Sequence, residues 1–252
     1  GGEVRITGPD VNHIRNVLRM KPGEKIQISD GQNEDYYCII DQIAPDRVTA
    51  VITGRYEEGT ELDGQIWLFQ GLPKGDKMEL IIQKAVELGA YAIVPVATKR
   101  SVVRLDEKKA AAKKRRWEAI AESAAKQAGR GIIPKIGDVT DLAGALKMAE
   151  GLTDKFLPYE NEAGMAGTEA AVARVCPGDR TGVLIGPEGG FELAEVEMAR
   201  AAGWQTISLG RRILRTETAG LCMLSALMLR LEAAREKREE RQFPLHNGVN
   251  II

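Results

Sequence analysis

The chain has 252 residues with a formal net charge of −1, and 44% of its residues are hydrophobic. This length and composition indicate a globular protein with one large or two smaller domains and a substantial core. The three cysteines are odd in number and lack paired spacing, so neither a disulfide framework nor a zinc site is indicated, and a reducing cytoplasm fits best. The longest apolar run, about Ala219 to Leu229, is too short to span a bilayer, so no membrane association is expected.

The first part of the chain, to about residue 54, is predicted to be rich in β-strands. Apolar, β-branched and aromatic residues favour strands at Val4–Ile6, Lys25–Ile28 and Tyr36–Ile40. Turns are expected at Pro22-Gly23 and at Asp30-Gly31, because glycine and proline favour turn conformations there.

A short helix is expected between the first two strands. Asp10 is its candidate N-cap, and Val11, Ile14, Val17 and Leu18 follow helical spacing.

The same helix carries Arg15 and Arg19. A solvated helix face explains these residues as well as a phosphate contact does. The hypothesis of a phosphate contact is based on the guanidinium group, whose planar fork can donate two hydrogen bonds to a phosphate.

A domain boundary is predicted near residue 62. The segment Arg55 to Gly64 is acidic and has no periodic pattern, and strands and helices alternate after it. This alternation is typical of a parallel α/β domain. We therefore expect one domain over residues 1–62 and a second over residues 63–252.

Within the second domain, periodicity and turn signals define the expected elements. The expected strands are Gln65–Phe69, Ala92–Val96, one from Ile132, Phe156–Leu157, Val183–Ile185 and Thr206–Ser208. The expected helices are Asp76–Leu88, Glu107–Gln127, Asp141–Glu150, one after Phe191, and Glu217–Arg238.

The segment from Lys99 to Lys135 is strongly basic, with twelve Lys and Arg residues against four Asp and Glu. Nucleic-acid affinity comes largely from neutralised phosphates, so the helix Glu107–Gln127 is a candidate docking surface for a polyanion. Solvation of an exposed helix explains the same charges equally well.

The first half of the last helix is apolar on nearly every side. A helix without a polar face has to be buried, and its own sheet covers only one side. A second copy of the chain is the simplest cover for the other side, so we expect a homodimer.

Two predicted strands, Val183–Ile185 and Thr206–Ser208, end in glycine-containing loops that are each followed by a helix. Ligands of open α/β sheets bind at the carboxyl ends of the strands. Gly189 and Gly190 permit close backbone approaches, and Pro187 stiffens the same turn. We therefore expect a binding site at these two loops, although a purely structural glycine turn is the alternative.

Two segments together resemble the SPOUT class of RNA methyltransferases: Leu184 to Phe191, LIGPEGGF, and Ser208 to Ala219, SLGRRILRTETA. Within that class, the chain is similar to the family that methylates N3 of a uridine in bacterial small-subunit (16S) ribosomal RNA. Further matching segments are His13–Gly23, Lys74–Gly89, Thr98–Ser101 and Gln127–Arg130.

The resemblance implies a PUA-like RNA-binding β-barrel followed by a SPOUT α/β domain with a deep trefoil knot. It also implies a homodimer with the final helix at the interface. The implied cofactor is S-adenosylmethionine, and the implied partner is small-subunit ribosomal RNA or the assembled small subunit.

The resemblance further implies that three loops hold a bent cofactor: Pro158–Glu160, Gly186–Gly190 and Leu209–Leu214. The candidate cofactor-binding residues are Leu157, Tyr159, Gly186, Pro187, Glu188, Gly189, Gly190, Leu209, Gly210, Ile213, Leu214 and Thr216.

Transfer of a methyl group from a sulfonium to a ring nitrogen is an in-line displacement that needs no metal. Uridine N3 carries a proton at neutral pH, so the site has to favour the uridine anion. Arg215 is the candidate catalytic cation, at the uracil oxygens or a backbone phosphate, and it cannot be the base because guanidinium stays protonated. Glu217 and Glu188 are candidate bases, although an acid in the first turn of the last helix, such as Glu217, also suits the helix dipole.

The RNA-contact hypotheses are based on basic character at the ends of elements. The candidates are Arg15, Arg19, Lys99, Arg100, Arg130 and Arg211.

Three other functions match the sequence less well. A catalytically silent RNA-binding or ribosome-assembly protein of the same fold has little need for a tight glycine loop. A dinucleotide-dependent enzyme would carry G-x-G-x-x-G after a strand, which this chain lacks. Methyl transfer to a transfer-RNA ribose or to another base is less well matched by the Arg215–Thr218 segment and the PUA-like first domain.

Overall fold

The computed structural model describes residues 2–31, 34–56, 59–162 and 164–242. Two compact units are present within them. The first comprises the chain up to Glu61 together with Gly129–Ile133, and the second comprises Leu62–Ala128 and the chain from Pro134 onwards. The short segment Gly129–Ile133 therefore packs with the first unit, although it follows a long helix, Glu107–Gln127, of the predicted second domain.

In the described part of the first unit, four antiparallel strands form a sheet in the order β1-β4-β3-β2. The strands are β1 (Glu3–Thr7), β2 (Lys25–Ser29), β3 (Asp35–Ile43) and β4 (Arg47–Tyr56). The three predicted strands of this region are confirmed. Strand β4 was not predicted; it pairs with both β1 and β3 and includes Arg55, which was expected to belong to the domain boundary.

The helix between β1 and β2 differs from its prediction. It begins as α1 (Pro9–Asn12) after Gly8, which has a φ of 73°, and no side chain caps it, so the prediction that Asp10 is the N-cap was wrong. The chain then continues as a π-helical turn over His13–Val17. This wider turn changes the residue spacing, so that Val11 and Ile14 are buried whereas Val17 and Leu18 are exposed.

The second unit contains, within the described residues, seven parallel strands in the order β11-β9-β10-β5-β6-β7, with β8 also paired with β6. The strands are β5 (Gln65–Gly71), β6 (Ala90–Ala97), β7 (Lys135–Ile136), β8 (Thr140–Asp141), β9 (Asp154–Pro158), β10 (Arg180–Ile185) and β11 (Gln205–Ile207). The helices are α2 (Lys77–Glu87), α3 (Glu107–Gln127), α4 (Leu142–Met148), α5 (Ala166–Arg174), α6 (Leu193–Ala201) and α7 (Thr216–Gln242). The predicted α/β class, with an antiparallel N-terminal sheet and a parallel C-terminal domain, is confirmed.

Helices cover both faces of the parallel sheet. In β10, Val183 and Ile185 belong to one buried cluster, which includes residues of α2, α3 and α7, while Leu184 belongs to a second cluster with residues of α4 and α6. Successive side chains of a strand point to opposite faces, so a strand buried on both sides reads as a continuous apolar run. The run that the sequence shows at Val183–Ile185 has this origin.

The carboxyl end of β5 lies directly against the loop that follows β10. A Cβ atom on Gly71 would lie 2.6 Å from the backbone nitrogen of Pro187. Only glycine allows these two backbones to approach so closely, because any side chain would meet main-chain atoms that cannot rotate away.

We expect Gly71→Ala to destabilise the fold by about 1–3 kcal/mol, because the added methyl group has to displace the backbone at Pro187. Gly167→Ala is the matched control: Gly167 lies in α5 and has no heavy atom within 4 Å of its Cβ position. The control should be neutral or stabilising by up to about 1 kcal/mol, because alanine favours a helix more than glycine does. Urea denaturation of both variants measures the difference, and equal midpoints for G71A and the parent would contradict the close approach.

Candidate functional site

Three neighbouring strands of the parallel sheet, in the order β11-β9-β10, end at the same edge and pass into loops. These loops surround a cavity of about 350 Å³, a size typical of small-molecule sites. Its lining residues are Lys77, Pro158, Tyr159, Glu160, Ile185, Gly186, Pro187, Glu188, Gly190, Phe191, Ser208, Leu209, Gly210, Arg211, Arg212, Ile213, Leu214, Arg215, Thr216 and Ala219.

Glycine is required at particular points of the cavity wall. Gly190 has a φ of 66°, and a Cβ atom there would lie 3.2 Å from both carboxylate oxygens of Glu160. Gly210 has a φ of 104°, a left-handed conformation that a side chain rarely adopts. Phe191 is buried and its ring lies 3.1 Å from the Cβ position of Gly186, so the ring anchors this loop to the core.

The hydroxyl of Thr216 connects the first residue of α7 to two strand ends. It donates a hydrogen bond to the carbonyl oxygen of Gly186 at 2.6 Å and accepts one from Nε2 of Gln70 at 2.8 Å. Thr216 and Gln70 are both buried, where hydrogen bonds of side chains are stronger than in water. The start of α7 is therefore held against the loop after β10.

Lys77 and Glu188 form an ion pair on the cavity wall. Nζ of Lys77 lies 2.8 Å from Oε1 of Glu188, whose carboxylate also accepts a hydrogen bond from the backbone N–H of Lys74 at 3.1 Å. The hydrogen bond to Glu188 raises the pKa of Lys77 above its ordinary value. Burial alone would raise the pKa of Glu188, but the hydrogen bonds from Lys77, from its own backbone and from Lys74 outweigh burial and lower it.

Glu217 lies beside the cavity rather than on its wall. Its Oε2 atom is 3.4 Å from Nζ of Lys77 and accepts no hydrogen bond from the described residues. Its side chain is 17% exposed, so the carboxylate is largely shielded from solvent.

Arg215 is exposed and lines the cavity. Its guanidinium makes no hydrogen bond or ion pair with the residues that the structure describes. A guanidinium carries five N–H donors and is always charged, so Arg215 is able to bind an anion at the opening of the cavity.

Most of the predicted cofactor-binding residues line this one cavity. Leu157 and Gly189 are the exceptions. Leu157 is fully buried in the core cluster that also contains Leu184, and the Cβ position of Gly189 faces Arg100 at 3.1 Å.

Lys77 and Phe191 also line the cavity, although neither was predicted to belong to the site. Phe191 directly follows the glycine loop, and its position in the motif is a signal that could have identified it. Lys77 lies 111 residues from Glu188 in the sequence, and no local pattern connects the two.

Lys99 and Arg100, both predicted to contact RNA, lie on the loop after β6, and both are exposed. The backbone N–H of Lys99 donates to Oε1 of the buried Glu195 at 2.8 Å, and the guanidinium of Arg100 donates to the carbonyl oxygen of Gly189 at 3.1 Å. This loop is therefore bonded to both ends of the segment from Gly189 to the start of α6. Arg211, another predicted RNA contact, lines the cavity itself.

The predicted RNA contacts of the first unit differ in their surroundings. Arg15 and Arg19 are exposed, and Arg19 has a positive φ of 54°, which is uncommon for a residue with a side chain. Arg130 is buried, and its guanidinium pairs with the carboxylate of Glu61, including a hydrogen bond from Nε at 3.1 Å. The same carboxylate accepts the backbone N–H of Ile132, so Arg130 fastens Gly129–Ile133 to the first unit.

The described residues were also compared with the requirements of a membrane-spanning helix and of a metal site. No helix among them is long and apolar enough to cross a membrane. No group of three or more His, Cys, Asp or Glu side chains among them is arranged to hold a metal ion.

Comparison with known proteins places this chain in a class. Residues 60–228 match the RNA methyltransferase domain family, and residues 6–53 match the RNA methyltransferase PUA domain. The chain is 38% identical over 233 residues to ribosomal RNA small subunit methyltransferase E of Bacillus subtilis, which covers 91% of each chain.

Two solved structures of similar proteins contain the cofactor. A ribosomal RNA small subunit methyltransferase E from Neisseria gonorrhoeae, bound to S-adenosylmethionine, is 34% identical with a TM-score of 0.77 and covers 90% of this chain and 91% of its own. A putative methyltransferase from Legionella pneumophila, also in complex with S-adenosylmethionine, is 30% identical with a TM-score of 0.78 and covers 91% of this chain and 92% of its own.

The protein is thus an RNA methyltransferase by domain composition, which confirms the resemblance inferred from its two glycine-containing segments. More particularly, the chain belongs to the family of ribosomal RNA small subunit methyltransferase E.

We expect Glu188→Gln to lower Tm at pH 7 by about 2–4 °C, the shift that corresponds to roughly 1 kcal/mol in a chain of this size. A carboxylate whose folded pKa is depressed stabilises the fold above its ordinary pKa of 4.5, and this contribution is lost as the pH falls through the folded pKa. The difference in Tm between parent and E188Q should therefore shrink below about pH 4.5. Calorimetric scans from pH 7 down to pH 3.5 measure it, and a difference independent of pH would contradict the ion pair.

Proposed function

We propose that this protein is an S-adenosylmethionine-dependent methyltransferase that methylates N3 of a specific uridine in small-subunit (16S) ribosomal RNA. The observation that carries the proposal is the cavity at the ends of β9, β10 and β11, which brings the two motif segments into one site. The relatives named for small-subunit ribosomal RNA match the chain over nearly its full length, which supports the choice of substrate.

The lining of the cavity supports its assignment to the cofactor. Gly186, Gly190 and Gly210 line the cavity and carry no side chain of their own, so a ligand can approach their backbone closely. Apolar atoms of Ile213 and Leu214 provide a surface for a flat ring. When bound, S-adenosylmethionine supplies an electrophilic methyl group.

The residues around the cavity would position the acceptor and stabilise its charge. Arg215 is the proposed catalytic cation, because it is exposed at the cavity and free to hydrogen-bond to uracil oxygens or to a phosphate. Its charge would favour the uridine anion over the neutral base. Holding the acceptor nitrogen in line with the methyl group would supply most of the rate enhancement.

The shielded carboxylate of Glu217 is less suited to the role of base than the sequence suggested. It lies off the cavity wall and faces the ammonium group of Lys77. We propose a supporting role for Glu217. Glu188 is also less suited to the role of base, because its carboxylate already pairs with Lys77 and accepts a hydrogen bond from the backbone N–H of Lys74.

The proposed RNA-binding residues are the exposed cations Arg15, Arg19, Lys99, Arg100 and Arg211. Arg130 is better explained as a structural residue, because Glu61 already pairs with its guanidinium. We propose that residues 1–62 act as the RNA-binding PUA-like β-barrel and that residues 63–252 carry catalysis. A ribosomal RNA substrate and free cysteines at positions 38, 176 and 222 suit a cytoplasmic protein.

We also propose that the C-terminal chain forms a trefoil knot. The chain leaves β11 at one edge of the sheet. The next helix, α7, nevertheless begins beside the ends of β10 and β5, because the hydroxyl of its first residue, Thr216, is hydrogen-bonded at both strand ends. To reach this place, the segment 208–215 has to pass the loop after β10. This path supports the knot implied by the family resemblance.

A homodimer through α7 is proposed from the distribution of its apolar residues. Met223, Leu224 and Leu227 are buried within the unit, whereas Leu229 is 64% exposed and Cys222 is exposed beside the partly buried Leu221. An apolar helix face open to water is typical of a subunit interface.

We expect the purified protein to bind S-adenosylmethionine and Ile213→Glu to weaken binding by at least about tenfold. Ile213 is 90% exposed, so the substitution should not disturb folding, but it places a charge on the cavity wall. Leu193→Glu is the matched control, an exposed leucine outside the cavity. Calorimetric titration measures the affinities, and transfer of labelled methyl to small subunits, with nucleoside analysis for N3-methyluridine, identifies the product. Absence of cofactor binding by the parent would contradict the proposed function.

We expect Leu229→Glu to convert a dimer into a monomer, because a charge cannot be buried unpaired in an apolar interface. Light scattering at micromolar concentration should give the parent twice the mass of L229E, with L193E at the parental mass. A monomeric parent would contradict the dimer.

A further inference from the structure

Lys77 is the first residue of α2, and its side chain, 31% exposed, lies on the cavity wall. Its ammonium group faces two carboxylates, Oε1 of Glu188 at 2.8 Å and Oε2 of Glu217 at 3.4 Å. The three residues come from three separate elements: α2, the loop after β10 and the first turn of α7. One cation therefore bridges segments that are remote in the sequence.

The carboxylate of Glu188 lies on one wall of the cavity, and that of Glu217 lies beside another wall. Glu188 lies in the segment Gly186–Phe191, and Glu217 follows directly on the segment Leu209–Thr216. Both segments line the cavity, so the distance between them determines its width. The hydroxyl of Thr216 joins the two segments at Gly186, and the ammonium group of Lys77 adds a second link through the two carboxylates.

Neither carboxylate would be well accommodated without this cation. Oε2 of Glu217 is buried and has no hydrogen-bond donor among the described residues other than the ammonium at ion-pair distance. Glu188 would retain the hydrogen bond from the backbone N–H of Lys74 but lose its shorter contact, the one with the ammonium group of Lys77. Removal of the cation would leave two partly buried negative charges close to the same point without the positive charge that offsets their repulsion.

We propose that Lys77 is a positioning residue for methyl transfer: it holds the two walls of the cofactor cavity at their working distance through Glu188 and Glu217. The proposal rests on the proposed function, because it takes the cavity to be the S-adenosylmethionine site. Lys77 does not act as a base in this scheme, since both neighbours favour its charged form. Its loss shifts the walls, and displacements of about 1 Å in an active site have large effects on binding and rate.

The test is a calorimetric titration with S-adenosylmethionine of the parent, Lys77→Met and Lys77→Arg. K77M is expected to raise Kd by about tenfold or more, the change produced by one lost interaction of moderate strength. K77R keeps the charge and is expected to remain within about threefold of the parent, although its planar fork does not reproduce the geometry of an ammonium group. Lys84→Met is the matched control, because Lys84 lies on the same helix and pairs with Glu87 away from the cavity.

A double-mutant cycle separates positioning from a general loss of structure. If Lys77 acts through Glu188, K77M/E188Q should bind the cofactor no more weakly than K77M alone, because the second substitution removes a charge that has already lost its partner. Additive losses would overturn the proposal, as would a K77M affinity within about twofold of the parent or a loss in K84M equal to that in K77M.

Two further outcomes are decisive. If K77M does not fold, E188Q alone tests the same contact, and parental affinity in E188Q would overturn the proposal. If the parent binds no cofactor, the proposed function fails and the role of Lys77 fails with it. Binding by the parent together with equal binding by K77M overturns the role of Lys77 and leaves the proposed function intact.

Discussion

The site depends on the hydrogen bonds of one hydroxyl group. Thr216 donates to the carbonyl of Gly186 and accepts from Gln70, so a single buried side chain fixes the last helix, the loop after β10 and the end of β5 relative to one another. A hydroxyl can do both because it is donor and acceptor at once. The backbones of Gly71 and Pro187 also approach each other closely, which brings the ends of β5 and β10 together. The cavity is the space that remains when these contacts are made.

Much of the fold could be predicted from the sequence because its signals are local. The run Val183–Ile185 is apolar without alternation, which is typical of a strand buried on both faces, and Asp106 caps α3, whose predicted bounds agree with the structure. Elements with weak local signals were missed. Helix α5 buries only Thr168 and Ala171, so it has no apolar stripe to recognise. The π-helical turn at His13–Val17 has a spacing that a search for a helical period does not detect.

The site was predictable to the extent that it lies in two motifs, and the remainder follows from tertiary contacts. Gly186, Gly190 and Gly210 were identified because they occur in recognisable loops. Lys77 and Gln70 were not, since their partners lie more than a hundred residues away. Arg130 illustrates the opposite error: its basic character suggested a nucleic-acid contact, but burial beside Glu61 gives it a structural partner. Charge alone does not distinguish a binding residue from one that holds two segments together.

The order of the cavity walls along the chain has a consequence for synthesis of the protein. The cavity walls that follow β9 and β10 are complete by residue 191. The third wall, the segment Leu209–Thr216, begins about twenty residues later and is translated after every strand of the sheet. A nascent chain arrested before Thr216 would carry all the strands of the domain and still lack the residue that fastens the cavity. Since domains fold as their chains emerge, we expect such a chain to bind the cofactor less tightly than the finished enzyme does. Incomplete translation products would then compete poorly with the finished enzyme for its methyl donor.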